Sequence, residues 1–247
     1  MFYGQGLSDP AERKFLQEAI TRFQHIFGRI FAGDNVILFG RNMGWRRNER
    51  FVRALRDNVH SAQEQALELR LNTLAWAAEQ ALHVAGDFVE CGVFRGFSSA
   101  VLCAYLDFAR LPRRFWLYDT FAGIPEGFDV EQHNSPTLAE PDLYEKVVER
   151  FRLYPNVSVV RGVIPDVFAQ AAPERIAFMH IDLNSSKSEL AALDGLFDRV
   201  SSGGVVIFDD YGWAAYAAQQ LAEDAWMAAR DHRILELPSG QGLLVKH

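Results

Sequence analysis

The stretch Asp87-Phe88-Val89-Glu90-Cys91-Gly92-Val93-Phe94-Arg95-Gly96-Phe97-Ser98-Ser99-Ala100-Val101-Leu102-Cys103-Ala104 decides how this chain is read. It opens as a short strand over Phe88–Glu90, breaks at Gly92, and reaches helix-starting residues at Ser98 and Ser99. A strand, a glycine turn and a helix in that order bring a ligand onto backbone N–H groups at the helix start. Gly92 permits a turn that a β-carbon would obstruct, and Gly96 lets backbone approach a ligand closely.

The spacing selects the ligand class. A dinucleotide site carries G-x-G-x-x-G after the strand, where the helix N-terminus faces a pyrophosphate. Here the pattern is Glu90-x-Gly92-x-x-x-Gly96, with a carboxylate at the strand end where a phosphate would be repelled. A cation with a ribose and an amino-acid end suits this turn better, which points to S-adenosylmethionine. The alternative for these residues alone is a tight turn with no ligand.

Working outward, 247 residues that are 49% hydrophobic and 23% charged can bury one large core. We expect an α/β core over residues 84–247, preceded by a helical extension over 1–83 that serves as substrate lid or oligomerisation element. A net charge of −7 disfavours a broad nucleic-acid surface, which carries basic excess. Cys91 and Cys103 are too few and too close for a disulfide framework. No apolar run reaches membrane-spanning length and residues 1–6 lack a signal pattern, so a cytoplasmic location is expected.

Ser8-Asp9-Pro10 reads as a helix start, followed by Phe15, Leu16, Ala19, Ile20, Phe23, Ile26, Phe27 and Ile30 at helical spacing. That stripe serves internal packing or a helix of a second subunit. Val36–Phe39 is a short strand or a loop end. The arginines at 41, 46, 47, 50, 53 and 56 form a solvated face or a grip for an acidic substrate, and His60–His83 is helical.

Beyond the glycine turn, strands and helices alternate. Strands are expected at Phe88–Glu90, Arg114–Tyr118, Val157–Arg161, Ile176–Ile181, Gly204–Phe208, Arg233–Leu237 and Gly242–Lys246. Helices are expected at Ser98–Phe108, Leu143–Phe151, Asp166–Ala171, Ser188–Arg199 and Trp213–Ala229. This predicts a mostly parallel seven-stranded sheet with helices on both faces, closed by an antiparallel hairpin through Ser239–Gly242.

In open α/β sheets ligands sit beyond the carboxyl ends of the strands. Reading those ends gives Glu90, Asp119, Gly162, Asp182, Asp209 with Asp210, and the Ser239–Gln241 turn. Asp119 can hold both ribose hydroxyls, or cap a turn. Gly162 and Val163 can line an adenine pocket. Asp182, Asp209 and Asp210 repel one another unless protons or a cation neutralise them, and oxygen donors of this kind suit Mg²⁺. Helix capping by Asp210 and solvation of Asp182 is the plainer alternative. His180, inside a buried strand, is a core residue or a base.

Four runs carry a family resemblance: Gly86–Gly96, Tyr118-Asp119-Thr120-Phe121-Ala122-Gly123-Ile124-Pro125, His180-Ile181-Asp182, and Gly203–Gly212 with its Asp209-Asp210-Tyr211. Over about residues 70–247 the chain resembles the class I methyltransferases of the macrocin and mycinamicin sugar O-methyltransferase type. The resemblance implies a Rossmann-like class I methyltransferase fold, S-adenosylmethionine as methyl donor and a hydroxyl acceptor, often on a sugar. It places Glu90, Cys91, Gly92, Val93 and Gly96 around the methionine end, with Ser98 at the helix start. Asp119 is placed at the ribose, with Thr120 and Phe121 beside it; Asp182 is placed at the cofactor and, with Asp209 and Asp210, at Mg²⁺. Such families often continue past Ile181-Asp182-Leu183 with another acid and an aromatic; here Asn184-Ser185-Ser186 stand instead.

The resulting expectation is O-methylation by in-line displacement at the sulfonium, with Asp182 as metal ligand and possible proton acceptor. His180 and Lys187 are reserve bases. The acceptor is a sugar or glycosylated small molecule. A catechol-like phenol, or a protein that binds the cofactor without catalysis, is the alternative.

Overall fold

The computed structural model describes residue 2 and residues 7–128 and 138–247. Of the N-terminal hexapeptide on which the missing signal pattern rests, Met1 and residues 3–6 lie outside them. The chain divides into two compact units, residues 1–72 and 73–247.

In the first unit, α1 (Pro10–Phe27) starts where the sequence places it, with Asp9 Oδ1 accepting the Ala11 N–H at 2.8 Å and Pro10 in the first turn. None of its residues is buried. The rings of Phe23 and Phe27 lie 5.2 and 4.7 Å from that of Phe39, and Phe15 and Ile26 stay 69% and 70% exposed. The apolar stripe does not continue to Ile30 as a helix. Gly28 (φ +69°) stops it, and β1 (Ile30–Gly33) pairs antiparallel with β2 (Val36–Phe39). Asp34 and Asn35, at φ +51° and +56°, make the two-residue turn that fits strand twist. The Asp34 carboxylate is buried against Arg70 at 2.9 Å.

A 3₁₀ turn at Gly44–Arg47 leads to α2 (Glu49–Asn58), capped by Asn48. The expected single helix over His60–His83 is two, α3 (Ala62–Ala66) and α4 (Glu68–Ala81), the latter running across the division between the units. Glu68 takes hydrogen bonds from Trp45 Nε1 and from Arg46 Nε and Nη2 at 2.5–2.8 Å. Arg56 pairs with Asp57, so the arginine cluster is partly neutralised within its own unit.

The second unit holds a seven-stranded sheet. Its strands are β3 (Asp87–Cys91), β4 (Phe115–Asp119), β5 (Val157–Arg161), β6 (Ile176–Ile181), β7 (Val200–Phe208), β8 (Leu235–Glu236) and β9 (Gly242–Val245). The order is β5-β4-β3-β6-β7-β9-β8. β3 to β7 run parallel, β9 lies antiparallel between β7 and β8, and the hairpin therefore inserts one strand inside the sheet. Helices α5 (Phe97–Leu106), α6 (Leu143–Arg150), α7 (Ser186–Leu196) and α8 (Ala217–Ala228) supply four of the connections, and between β5 and β6 the helix expected at Asp166–Ala171 is a 3₁₀ turn over Asp166–Ala169.

Each residue of β6 is buried, as a central parallel strand covered on both faces requires. The ring of Phe88 packs on those of Phe108, Phe115 and Phe178 at 5.2–5.8 Å. β7 begins at Val200 rather than Gly204. The register to β6 jumps between Ile176↔Val200 and Phe178↔Val205, and the bulge absorbs the Ser-Ser-Gly-Gly run that reads in sequence as a turn. α8 starts later than expected, at Ala217, after a 3₁₀ turn at Ala214–Tyr216. Strand order reverses between β3 and β6, so the crevice at their carboxyl ends is the ligand position of this topology.

Candidate functional site

Gly92 follows β3 at φ +90°. Asp182 N donates to Cys91 O at 2.8 Å, which draws β6 so close that a β-carbon on Gly92 would stand 1.8 Å from the Asp182 carbonyl oxygen. Gly96, at φ +71°, opens α5, and a β-carbon there would meet the Phe151 ring at 2.8 Å. Both glycines are thus required by backbone geometry and by close packing.

Asp119, the last residue of β4, reaches back to this turn. Its Oδ2 accepts the N–H groups of Val93 and Phe94 at 2.7 and 2.8 Å, and its Oδ1 accepts that of Phe121 at 2.6 Å. A carboxylate fed by three backbone donors forms charge-assisted bonds, stronger than neutral ones. Thr120 Oγ1 donates to Gly123 O at 2.6 Å and fixes the following loop.

A cavity of about 150 Å³ opens over these strand ends. Gly92, Phe94, Asp119 and Thr120 form one wall; Gly162, Val163 and Ile164 form another; Asp182, Leu183, Asn184 and Ser188 close it, with Ile124, Pro125, Phe128 and Leu138 among the apolar lining. Behind it runs a buried polar chain. Ser99 Oγ donates to Glu90 Oε2, Glu90 Oε1 lies 2.8 Å from His180 Nδ1, and His180 Nε2 lies 3.3 Å from Asp209 Oδ1. Gln241 Nε2 donates to the same Asp209 oxygen at 2.9 Å, and Ser239 Oγ donates to Gln241 Oε1 at 3.0 Å. Burial alone would lower the His180 pKa, but its hydrogen bonds to Asp209 and Glu90 and the charges of those carboxylates push it up to about 10. The imidazolium so held bridges two carboxylates and does not face the cavity.

Residues 46–236 match the macrocin-O-methyltransferase family. The chain belongs to that family. Among its relatives is the 8-demethyl-8-(2,3-dimethoxy-alpha-L-rhamnosyl)-tetracenomycin-C 4'-O-methyltransferase of Streptomyces olivaceus, 36% identical over 159 residues, covering 58% of this chain and 60% of that protein. Another is the mycinamicin III 3''-O-methyltransferase of Micromonospora griseorubida, 31% identical over 164 residues, covering 58% and 62%. The chain thus spans about three fifths of the length of these curated relatives. Among solved structures, the O-methyltransferase NovP superposes with a TM-score of 0.61 at 25% identity, covering 72% of this chain and 79% of that one. The calicheamicin methyltransferase CalS11 shares the fold, with a TM-score of 0.59 at 21% identity over 81% of this chain and 92% of that one.

In this macrocin-O-methyltransferase relative, six of the residues expected at the cofactor line the cavity: Gly92, Asp119, Thr120, Gly162, Val163 and Asp182. The others stand behind it. Glu90 is 2% exposed in the polar chain, and the buried Cys91 thiol is pushed up by desolvation. Val93 contributes its N–H to Asp119, Gly96 opens α5 with Ser98 in its first turn, and the Phe121 ring packs 5.3 Å from that of Tyr144. Lys187, a reserve base in the sequence reading, donates to Gly127 O at 2.8 Å and lies 4.9 Å from the Phe128 ring centre, so it holds the cavity loop.

Among the described residues, His180, Asp182 and Asp209 bring a ring nitrogen and two carboxylate oxygens within 4.8 Å of one another, and the imidazolium leaves only the carboxylates as ligands. Asp210 is the half-buried neighbour outside that group. The two carboxylates suit a hard cation that keeps several waters, so this donor set fits Mg²⁺ through Asp182 and Asp209. Sequence reasoning did not assign the cavity's Phe94 and Phe128, nor Tyr216, whose hydroxyl donates to Asn184 Oδ1 at 2.6 Å. The Ser239–Gln241 turn was placed at the strand ends, but not its hydrogen bond to Asp209. The polar Gln241 just before the inserted strand β9 is the signal that could have found it.

Among the described residues, no helix is long and apolar enough to cross a membrane.

Proposed function

We propose that this protein is an S-adenosylmethionine-dependent, Mg²⁺-assisted O-methyltransferase acting on a hydroxyl of a sugar or glycosylated small molecule. The observation that carries the reading is the cavity at the β3/β6 crevice, walled by the glycine turn and Asp119 on one side and by Asp182 on another. The family match and the names of its relatives, which methylate rhamnosyl-tetracenomycin and mycinamicin substrates, support the acceptor class.

S-adenosylmethionine supplies an electrophilic methyl group when bound; Mg²⁺ supplies Lewis acidity toward the acceptor oxygen. The chain's own work is orientation and proton transfer. Asp119 and the Gly92–Gly96 turn position the nucleoside and amino-acid ends, and Gly162 with Val163 borders the base. Asp182 and Asp209 would hold the cation. The donor would supply the methyl to the acceptor oxygen, and Asp182, at the cavity wall, would take that oxygen's proton. Phe94, Phe128 and Leu138 keep water from that space.

We further assign a cytoplasmic location and a homo-oligomer. α1, without a buried residue and with Phe15 and Ile26 exposed, supports the second assignment. In that assignment the N-terminal extension, residues 1–83, serves oligomerisation or covers the acceptor.

The test is methyl transfer from labelled S-adenosylmethionine to a panel of glycosides and catechols, beside calorimetry of cofactor binding. Glycoside labelling is expected. Labelling of catechols alone would move the acceptor class, and binding without transfer would make the protein a cofactor-binding module. Absence of binding would end the reading.

A further inference from the structure

Each of the two carboxylates assigned to the cation is held by a neutral side-chain amide. Asn184 Nδ2 donates to Asp182 Oδ1 at 3.1 Å, and Gln241 Nε2 donates to Asp209 Oδ1 at 2.9 Å. Each amide is held in turn by a hydroxyl on its oxygen, Tyr216 for Asn184 at 2.6 Å and Ser239 for Gln241 at 3.0 Å. The same three-part chain of hydroxyl, amide and carboxylate therefore occurs twice, built from unrelated elements.

We propose that Asn184 and Gln241 are positioning residues that set the cation affinity of this site by fixing the orientation of Asp182 and Asp209. The proposal rests on the metal reading above and deepens it. The chemistry of an amide suits this task. Only its nitrogen can donate to a carboxylate, so a hydroxyl engaging the oxygen fixes which way the amide points. Its neutrality matters equally. A lysine or arginine in the same place would also orient the carboxylate, but would cancel charge that the cation needs. With both carboxylate rotors fixed before binding, the site loses little freedom on taking up an ion.

The placement is costly unless used. Gln241 is fully buried, and a buried amide is tolerated only when its hydrogen bonds are met. It reaches Asp209 because β9 runs antiparallel beside β7 and pairs Gly242 with Phe208. Asn184 sits at φ +54°, a conformation asparagine tolerates better than most residues, directly after Asp182 and Leu183. Partners of metal ligands at this remove typically change metal affinity by about 10–100-fold when lost.

The experiment is titration of the cofactor-free protein with Mn²⁺, followed by electron paramagnetic resonance of the free ion. Gln241→Met keeps the volume and removes the donor, and Asn184→Gly removes the amide without opposing the backbone. Each should weaken Mn²⁺ binding by about 10–100-fold, with circular dichroism as in wild type and, for Gln241→Met, which lies outside the cavity lining, S-adenosylmethionine affinity as in wild type. Tyr216→Phe and Ser239→Ala, which take away one hydroxyl each, should give smaller losses of the same sign, and they decide the question if a core amide variant fails to fold. A lowered melting temperature with unchanged Mn²⁺ affinity in the folded variants would reduce the amides to packing and overturn the proposal while leaving the metal reading standing. A wild-type protein that binds no Mn²⁺ would overturn both.

Discussion

Asp119 Oδ2 lies 2.7 Å from the backbone nitrogen of Val93, so the carboxylate ending the second core strand holds the glycine turn that ends the first. With Phe94 and Phe121 also donating to it, Asp119 sets the shape of the turn as well as bordering the cavity. Asp119→Ala leaves those N–H groups without their acceptor and removes the proposed ribose partner. It should weaken S-adenosylmethionine binding by about 1–3 kcal/mol, and it should lower the melting temperature too. Calorimetry on the folded variant checks this. Unchanged affinity with a lowered melting temperature would leave Asp119 a turn holder only.

Gly92→Ala is expected to be far more damaging. The new β-carbon would stand 1.8 Å from the Asp182 carbonyl at a φ of +90°, and the hydrogen bond from Asp182 N to Cys91 O prevents the strands from parting locally. A clash with backbone has no flexible side chain to yield, so we expect a loss of more than about 3 kcal/mol of stability. Denaturant unfolding of the variant measures it; near-wild-type stability would mean that the β3/β6 crevice is wider than described.

How much of this was legible in the chain depends on the range of the interaction. β3, β4, β5 and β6 announce themselves as apolar runs stopped by a glycine or an acid, because parallel strands covered on both faces need continuous apolarity. Asp119 and Asp182 followed from topology alone. Of the β1–β2 hairpin, the strand alternative for Val36–Phe39 was legible and β1 was not, since Ile30 continues the apolar spacing of α1 and only Gly28 marks the break. Nor were the partners of the site carboxylates. Val93 offers a backbone N–H, and Gln241 and Tyr216 arrive from elements 32 residues away from the groups they meet. Hydrogen bonds of that reach leave no spacing in the sequence.

The stability of the second unit should fall as pH rises above the acidic range. Glu189 on α7 is buried, and desolvation first, then the charge and hydrogen bond of Glu223 on α8, raise its pKa well above the ordinary 4.5. A proton on Glu189 turns two facing carboxylates into a donor–acceptor pair. For a group raised on folding, the native state holds a proton that the unfolded chain releases. The contribution is therefore complete below about pH 4.5 and is lost progressively as pH climbs toward the folded value, by at most about 1.4 kcal/mol per pH unit. Glu189→Gln keeps a donor toward Glu223 and cannot titrate. Its unfolding free energy, followed against pH, should show a slope shallower by up to one proton, and parallel curves for the two proteins would remove Glu189 from the account.

The proposed mechanism turns on the proposed metal. Asp182 lines the cavity, Asp209 lies behind it under His180 and Gln241, and their ligand atoms fall within 4.8 Å of one another. Two carboxylates this close repel, and the one imidazolium beside Asp209 is shared with Glu90, so a cation would offset the charge that remains. Treatment with EDTA should therefore abolish methyl transfer while S-adenosylmethionine binding survives, because the glycine turn and Asp119 need no cation. Added Mg²⁺ should restore turnover. Asp209→Asn keeps the shape and removes charge, so it should raise the Mg²⁺ concentration needed for half-maximal rate. Asp182→Ala removes the proposed ligand and the proposed proton acceptor together, and should stay inactive at any Mg²⁺ concentration. A rate undiminished in excess EDTA would leave Asp182 as a base working alone, and the variant series would then separate by pH profile rather than by Mg²⁺ requirement.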